Sequence, residues 1–459
     1  MFTVRPLLAA PLCAWLALTP QQSAAQTPEA APPLAENAPL RPETPAAAPL
    51  TLEQAVSLAA ERNERTLAAQ QRAEAAEARV ARARAFFFPE LTLTTTYTRR
   101  IQPTVVQRRD ALGATAMARV TLFDARGFPL YRAARLEGEA AELESREARR
   151  LVGFEAADAF LTTLGNQQVY EAAVRRLEFA QQSLQDAKAR AEAGLASIND
   201  VTRAELEVAS AEVQLAEARG SAETSRLELG FLLVSPVEGA LAPPEPLLGE
   251  ALRPDEGLLS LIPGAAERRM DVLSTRLRVQ ALEASAREPL ARLFPTLGLT
   301  GQYRLTNETG PIGVPGEQLF LNRGSGFIAL ELAWNLFDGG ERYAERRERV
   351  ALARAAELEA TALTRRVDVD IERARVSLRN AQAALKQSEL ATEQARKNAE
   401  ETGILYRQGL ATALAISDAA LRLFEAEVSL ARARYSLGIA LLDLRAAVGL
   451  DPLGKEPQQ

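Results

Sequence analysis

The sequence predicts an α+β membrane protein made of two copies of one unit, in which very long helices alternate with short paired strands. Three observations lead there. Alanine occupies 88 of the 459 positions, with Glu, Arg and Leu close behind, which suits long helices better than an average globular domain. Four short segments interrupt that texture with period-two alternation. The order helix, Phe-Pro, strand, loop, strand, Leu-Phe-Asp, long helix, glycine turn, helix occurs twice along the chain.

The first element is a targeting segment. A basic start, the apolar run 6–18 and the small residues Ser23-Ala24-Ala25 make residues 1–25 a secretory signal peptide. Cys13, the only cysteine, follows Ala10-Pro11-Leu12 rather than a lipidation motif and departs with the leader. Residues 26–50 are rich in Pro and Ala and read as a flexible leader.

Helix is expected from Thr51, which with Gln54 forms a capping box, through Arg84 to the stop at Phe86-Phe87-Phe88-Pro89. Strands follow at 91–98 and 113–123. In the second, Ala116, Ala118, Val120 and Leu122 oppose Met117, Arg119, Thr121 and Phe123. Each run has the length of a tilted membrane strand, and a half-buried soluble hairpin has the same pattern. A helix over 126–193 would extend roughly 100 Å. Gly194 begins a turn, and a helix over 200–229 completes the first repeat, 51–230. A Pro/Gly-rich connector, 231–265, leads to the second repeat, 266–448. It holds a helix ending near Phe294-Pro295, strands 297–306 and 326–336, and a helix over 339–406 capped by Asp338 with Glu341. A turn at Gly409, a helix over 412–448 and a tail, 449–459, complete the chain. Gly194–Arg219 and Gly409–Arg434 share 12 of 26 residues without a gap.

Composition closes off several functions. With no His, imidazole can serve neither as base nor as ligand, and one Cys cannot form an intrachain disulfide. The charge balance, 54 Lys+Arg against 60 Asp+Glu, carries no nucleic-acid footprint. No Ser has a base partner, no Gly-rich phosphate loop opens a helix, and no carboxylates have the spacing of a ligand loop. Gly310-Pro311-Ile312-Gly313 is surface-loop composition. No catalytic residue, cofactor or metal is expected.

Four strands cannot close a barrel, and an open sheet cannot satisfy its edges in lipid. Three chains would supply twelve strands, within the range of outer-membrane barrels. The helices carry Arg and Glu at nearly every turn, so they stand in water against one another. A soluble coiled-coil scaffold with a small sheet cap explains the helices equally well.

Taken in order, Thr51-Leu52-Glu53-Gln54-Ala55-Val56, Phe88-Pro89-x-Leu91, Phe294-Pro295-x-Leu297, Leu336-Phe337-Asp338-Gly339-Gly340 and Tyr406-x-x-Gly409 resemble the TolC family of bacterial outer-membrane efflux proteins over about residues 50–450. The resemblance implies a homotrimer with a 12-stranded barrel in the outer membrane, continued by a periplasmic α-helical barrel. It also implies an equatorial connector and a role as exit duct of a tripartite efflux pump or type I secretion system. The partners would be a periplasmic adaptor and an inner-membrane transporter of RND or ABC type.

A duct needs a polar lumen, an apolar band and a gate. Thr92, Thr94, Thr96, Arg119, Thr300, Gln302, Arg304 and Glu331 fall opposite the apolar strand positions and are expected to face the lumen, or the wet side of a soluble sheet. Tyr97, Tyr303 and Trp334 are candidate interfacial aromatics. The resemblance places the turns at Gly194-Leu195 and Gly409-Leu410 at the closed tip that meets the adaptor. It makes Asp200 and Asp418 the candidate gate, with Ala411 and Ala415 where relatives carry basic and acidic residues. Asp200 equally suits a helix N-terminus. The expected cargo is small molecules or drugs, with protein secretion as the alternative. The absence of His, and of Met enrichment, on the lumen face argues against a dedicated soft-metal exporter.

Overall fold

Helix dominates because Ala, Glu, Arg and Leu lose little side-chain freedom in it, and side-chain caps at Thr51, Asn63, Ser197 and Thr412 open four of the helices. The computed structural model describes residues 49–102, 109–253, 256–306, 313–314, 317–318 and 324–456. The expected signal peptide with Cys13, nearly all of the leader, Gly310 with most of the 307–325 loop, and the last residues of the tail lie outside the described residues.

Helix α1 (Leu52–Arg62) starts at the capping box: Thr51 Oγ1 accepts from Gln54 N–H at 3.3 Å and Gln54 Oε1 accepts from Thr51 N–H at 3.1 Å. The single helix expected as far as Arg84 is two. The chain turns extended at Asn63, whose Oδ1 caps α2 (Glu64–Ala85) and whose Nδ2 donates to the Leu232 carbonyl at 3.1 Å. Strands β1 (Glu90–Arg99) and β2 (Asp110–Phe123) follow, then α3 (Gly127–Glu192) and α4 (Ile198–Leu233). The connector contains α5 (Glu245–Leu252) and α6 (Glu256–Ser260), and its Leu241 makes a parallel bridge with Leu50.

The second unit opens with α7 (Ala265–Arg268), α8 (Met270–Ser285) and α9 (Glu288–Ala291), shorter pieces than the one helix expected. Strand β3 (Thr296–Thr306), the two-residue β4 (Gly313–Val314) and β5 (Glu317–Gln318), and β6 (Gly324–Ala333) precede α10 (Glu341–Arg407) and α11 (Ala413–Val448). Strand β6 stops short of the expected 336: Trp334 lies beyond its end, its indole N–H donating to the Leu293 carbonyl at 3.0 Å. The cap of α10 is Gly340, at φ +90°, rather than Asp338. Asp338 instead accepts from Gly340 N–H and from the buried Arg342 guanidinium at 2.6 Å, which holds its carboxyl below the usual value.

The main sheet runs β1-β2-β3-β6, antiparallel throughout. Helix α3 lies between α4 and α11, and α11 packs along α10. The largest apolar cluster sits where α1, α3, α5 and the end of α11 meet, around Phe160, Leu161, Leu248, Leu437, Leu441 and Val448. Gly438 allows that approach, because a Cβ there would lie 3.0 Å from Leu161.

Candidate functional site

Residues opposite one another in neighbouring strands share a face, so the register sorts the sheet. One row joins Glu90, Arg119, Thr300 and Ala329; the next joins Thr92, Met117, Gln302 and Phe327; the next joins Thr94, Thr115, Arg304 and Ser325. Thr96 extends this face beyond them, and Glu331, opposite Gly298, extends it the other way. All eight strand residues expected to be polar-facing therefore lie on one side of one sheet. Met117, which alternation already sets beside Arg119, and Phe327 share it, two large apolar residues on an otherwise largely polar face.

The opposite face carries Leu91, Leu93, Val120, Leu299, Ile328 and Leu330 together with Tyr97 and Tyr303. It is bare: Leu91 and Ile328 are each 81% exposed. Alternation alone would put Phe123 with Arg119. A bulge between Thr121 and Phe123 sets it opposite Leu297, on the apolar face. Tyr303 lies against Gly324 and Gly326, where a Cβ would come within 2.6 Å and 2.9 Å of its side chain, and the Tyr97 hydroxyl donates to Asp110 at 2.8 Å. Within the sheet, β1 and β6 each keep one unpaired edge.

The far ends of the long helices are built alike. Gly194 and Gly409 take φ of +75° and +78°. Leu195 N–H returns to the Arg190 carbonyl and Leu410 N–H to the Leu405 carbonyl, each at 2.8 Å, closing a Schellman motif. Ser197 and Thr412, each three residues past its glycine, then cap α4 and α11. This leaves Leu195 and Leu410 80% and 73% exposed at the two tips.

Asp200 completes a capping box, its Oδ2 accepting from Ser197 N–H at 3.1 Å and from the Ser197 hydroxyl at 3.0 Å. Ala415 holds the matching position in the other hairpin and has no such bond to offer. Asp418 pairs with Arg422 at 2.9 Å on the exposed face of α11. At the offset from the glycine that Asp418 occupies, the first hairpin has Arg203.

A residue not singled out from the sequence ties the hairpins together. Arg190 donates to the carbonyls of Tyr406 and Arg407 at 2.9 and 3.2 Å, with its guanidinium 4.4 Å from the Tyr406 ring centroid. It thereby satisfies carbonyls that the end of α10 leaves open. Further along, Arg176 bonds Gln214 and Glu207 of α4 and stands over Phe424 of α11; burial pushes its guanidinium below the ordinary value against the pull of Glu207. Among the described residues no group of three or more Asp, Glu, His or Cys is placed to hold a metal ion, and no helix is long and apolar enough to cross a membrane.

The family model described as outer membrane efflux protein matches residues 55–233 and 261–450. A cobalt-zinc-cadmium resistance protein, CzcC of Cupriavidus metallidurans, is 27% identical over 296 residues, 64% of this chain and 65% of that one. The chain thus spans somewhat less than two thirds of that curated relative. Among solved structures, the outer membrane protein VceC of Vibrio cholerae superposes with a TM-score of 0.69 at 19% identity, covering 87% of this chain and 96% of that one. The open state of the MtrE outer membrane channel of Neisseria gonorrhoeae gives 0.71 at 18% identity over 89% and 91%. At these identities the structural matches speak for the fold.

Proposed function

We propose that this chain, which belongs to the outer membrane efflux protein family, closes as a homotrimer into a twelve-stranded barrel continued by a ring of periplasmic helices. Membership of that family makes the protein an outer-membrane efflux conduit rather than a catalyst. The observation that carries the trimer is the sheet: a bare apolar face, a polar face and two free edges have no stable form in water or lipid until the edges meet. Placing β6 of one copy against β1 of the next would leave the polar face around the lumen.

The helices support the same closure. Exposed Leu206, Val213 and Leu227 on α4, and Val369, Val376, Leu390 and Ile404 on α10, recur at multiples of seven residues. Such stripes seek a partner helix, and α4 and α10 bound the α4-α3-α11-α10 layer, so each would meet the other's copy in a neighbouring protomer. Mass measurement of the detergent-extracted protein should give three chains, and planar bilayers should record a conducting pore. A monomer or dimer would defeat the reading and favour the coiled-coil scaffold.

In this reading Leu195 and Leu410 meet the adaptor, and the transporter beyond it is of RND or ABC type. Small molecules are the cargo. The similarity to CzcC favours a second reading, in which the cargo is divalent transition-metal cations. Deleting the gene should sensitise cells to drugs under the first and to zinc, cobalt or cadmium under the second.

Asp200 and Asp418 would place up to six carboxylates around the trimer's entrance. Within a Debye length of about 8 Å their fields add, so the entrance should prefer cations and be plugged by trivalent ones. Conductance of the Asp200→Asn, Asp418→Asn variant should show several-fold weaker cation preference and weaker block. Unchanged values would leave Asp200 as the partner of Ser197 and Asp418 as the partner of Arg422, and nothing more.

A further inference from the structure

We propose that a belt of arginines where the helices join the sheet binds the anionic headgroups of phospholipids in the periplasmic leaflet. The inference rests on reading the sheet as part of an outer-membrane barrel.

Four segments meet the same end of the sheet. Residues 79–88 lead into β1, 124–135 leave β2, 285–295 lead into β3 and 338–349 leave β6; Phe123 opposite Leu297 and Thr296 opposite Ala333 bring the strand ends level. Together the four hold twelve Arg against six Asp and Glu, a local charge of +6 in a chain whose total is −6. Four of the carboxylates are taken by neighbours, in the pairs Asp124–Arg126, Glu288–Arg292, Asp338–Arg342 and Glu345–Arg349. Arg82, Arg84, Arg132, Arg287, Arg346 and Arg347 are exposed and have no ion pair among the described residues.

Large rings crowd the same level. Phe88, Phe128, Phe294 and Phe337 are 60%, 60%, 59% and 84% exposed, next to the strand ends. Water alone gives no reason to expose four phenylalanines. A bilayer interface does, since rings settle at headgroup depth while Arg stems reach past them to phosphate oxygens. The unpaired guanidiniums supply the sign, which selects phosphatidylglycerol or cardiolipin over zwitterionic lipid.

The test titrates the detergent-extracted full chain with phosphatidylglycerol and with phosphatidylcholine, counting bound lipids by native mass spectrometry. The wild type should prefer phosphatidylglycerol, and millimolar inorganic phosphate should not displace it. At about fivefold per arginine near a surface, the variant Arg82→Gln, Arg84→Gln, Arg346→Gln, Arg347→Gln should lose at least tenfold of that preference. Its binding of phosphatidylcholine and its trimer mass should be unchanged. If that variant does not assemble, Arg132→Gln with Arg287→Gln should reduce the preference in the same direction. An unchanged preference, displacement by phosphate, or altered anion conductance with lipid binding intact would overturn the proposal. A wild type that binds neither lipid would instead overturn the barrel reading on which it rests.

Discussion

Arg150→Ala should lower stability by about 3–5 kcal/mol, the cost of breaking a buried ion pair from one side. Arg150 and Glu147, both on α3, are each 8% exposed, and the Arg150 Nε and Nη2 donate to the Glu147 carboxylate at 2.8 and 2.7 Å. Its Nη1 donates to the Leu450 carbonyl at 2.9 Å, just past the left-handed Gly449 that ends α11, and the guanidinium stands 5.3 Å from the Phe154 ring centroid. Truncation would leave the buried Glu147 carboxylate without its hydrogen-bonded partner, with the Arg269 guanidinium still acting on it, and that carbonyl without its Arg150 donor. Glu147→Leu with Arg150→Met should recover most of the loss, because both charges then leave together. Helical circular dichroism during thermal unfolding in detergent would show the order wild type, double variant, Arg150→Ala. An Arg150→Ala midpoint equal to wild type would mean the clasp contributes nothing.

What the sequence revealed and what it concealed divide along the range of the interactions. Strand faces are legible because alternation is local: the register gathers Thr92, Arg119, Gln302 and Glu331 on the side that their parity assigns. The capping box at Thr51 is legible for the same reason, as both partners lie within three residues. The break at Asn63 is not, since its side chain bonds a carbonyl 169 residues away. Arg190 and Arg150 were invisible on the same ground: an arginine among many declares no partner, and theirs lie 216 and 300 residues distant. The bulge beside Phe123 shifts one residue against its partner strand, which no single-strand pattern encodes. Asp200 shows the intermediate case. Its position six residues past a turn glycine suited either a pore charge or a helix cap, and in the fold the carboxylate accepts from Ser197.

Raising the pH from about 4 to about 7 should weaken the layer where α3 meets α11, and Asp158→Asn should remove most of that sensitivity. Asp158 lies on α3 with its Oδ1 buried and without a hydrogen-bond partner. Burial pushes its carboxyl from 3.8 up to about 7, and the negative charges of Asp443 on α11 and Glu155 on its own helix push the same way. Asp443 is itself raised by burial, while Glu155 is engaged by Arg65 of α2. Because the folded value lies above the unfolded one, the folded protein holds a proton that the unfolded chain has released between those two values. The stabilisation is fully present below about pH 4 and is lost progressively as pH rises to about 7, at about 1.4 kcal/mol per pH unit. Above that range Asp158 is ionised inside the layer with Asp443 and Glu155 nearby. Unfolding midpoints taken across this range should fall more steeply for the wild type than for Asp158→Asn, in which only Asp443 still contributes, and Asp158→Asn should be the more stable protein at about pH 8. Asp443→Asn should end the fall at lower pH and make it smaller, because one of the charges that raises Asp158 in the folded protein is gone. Parallel curves for wild type and Asp158→Asn would show that this carboxyl does not titrate with folding.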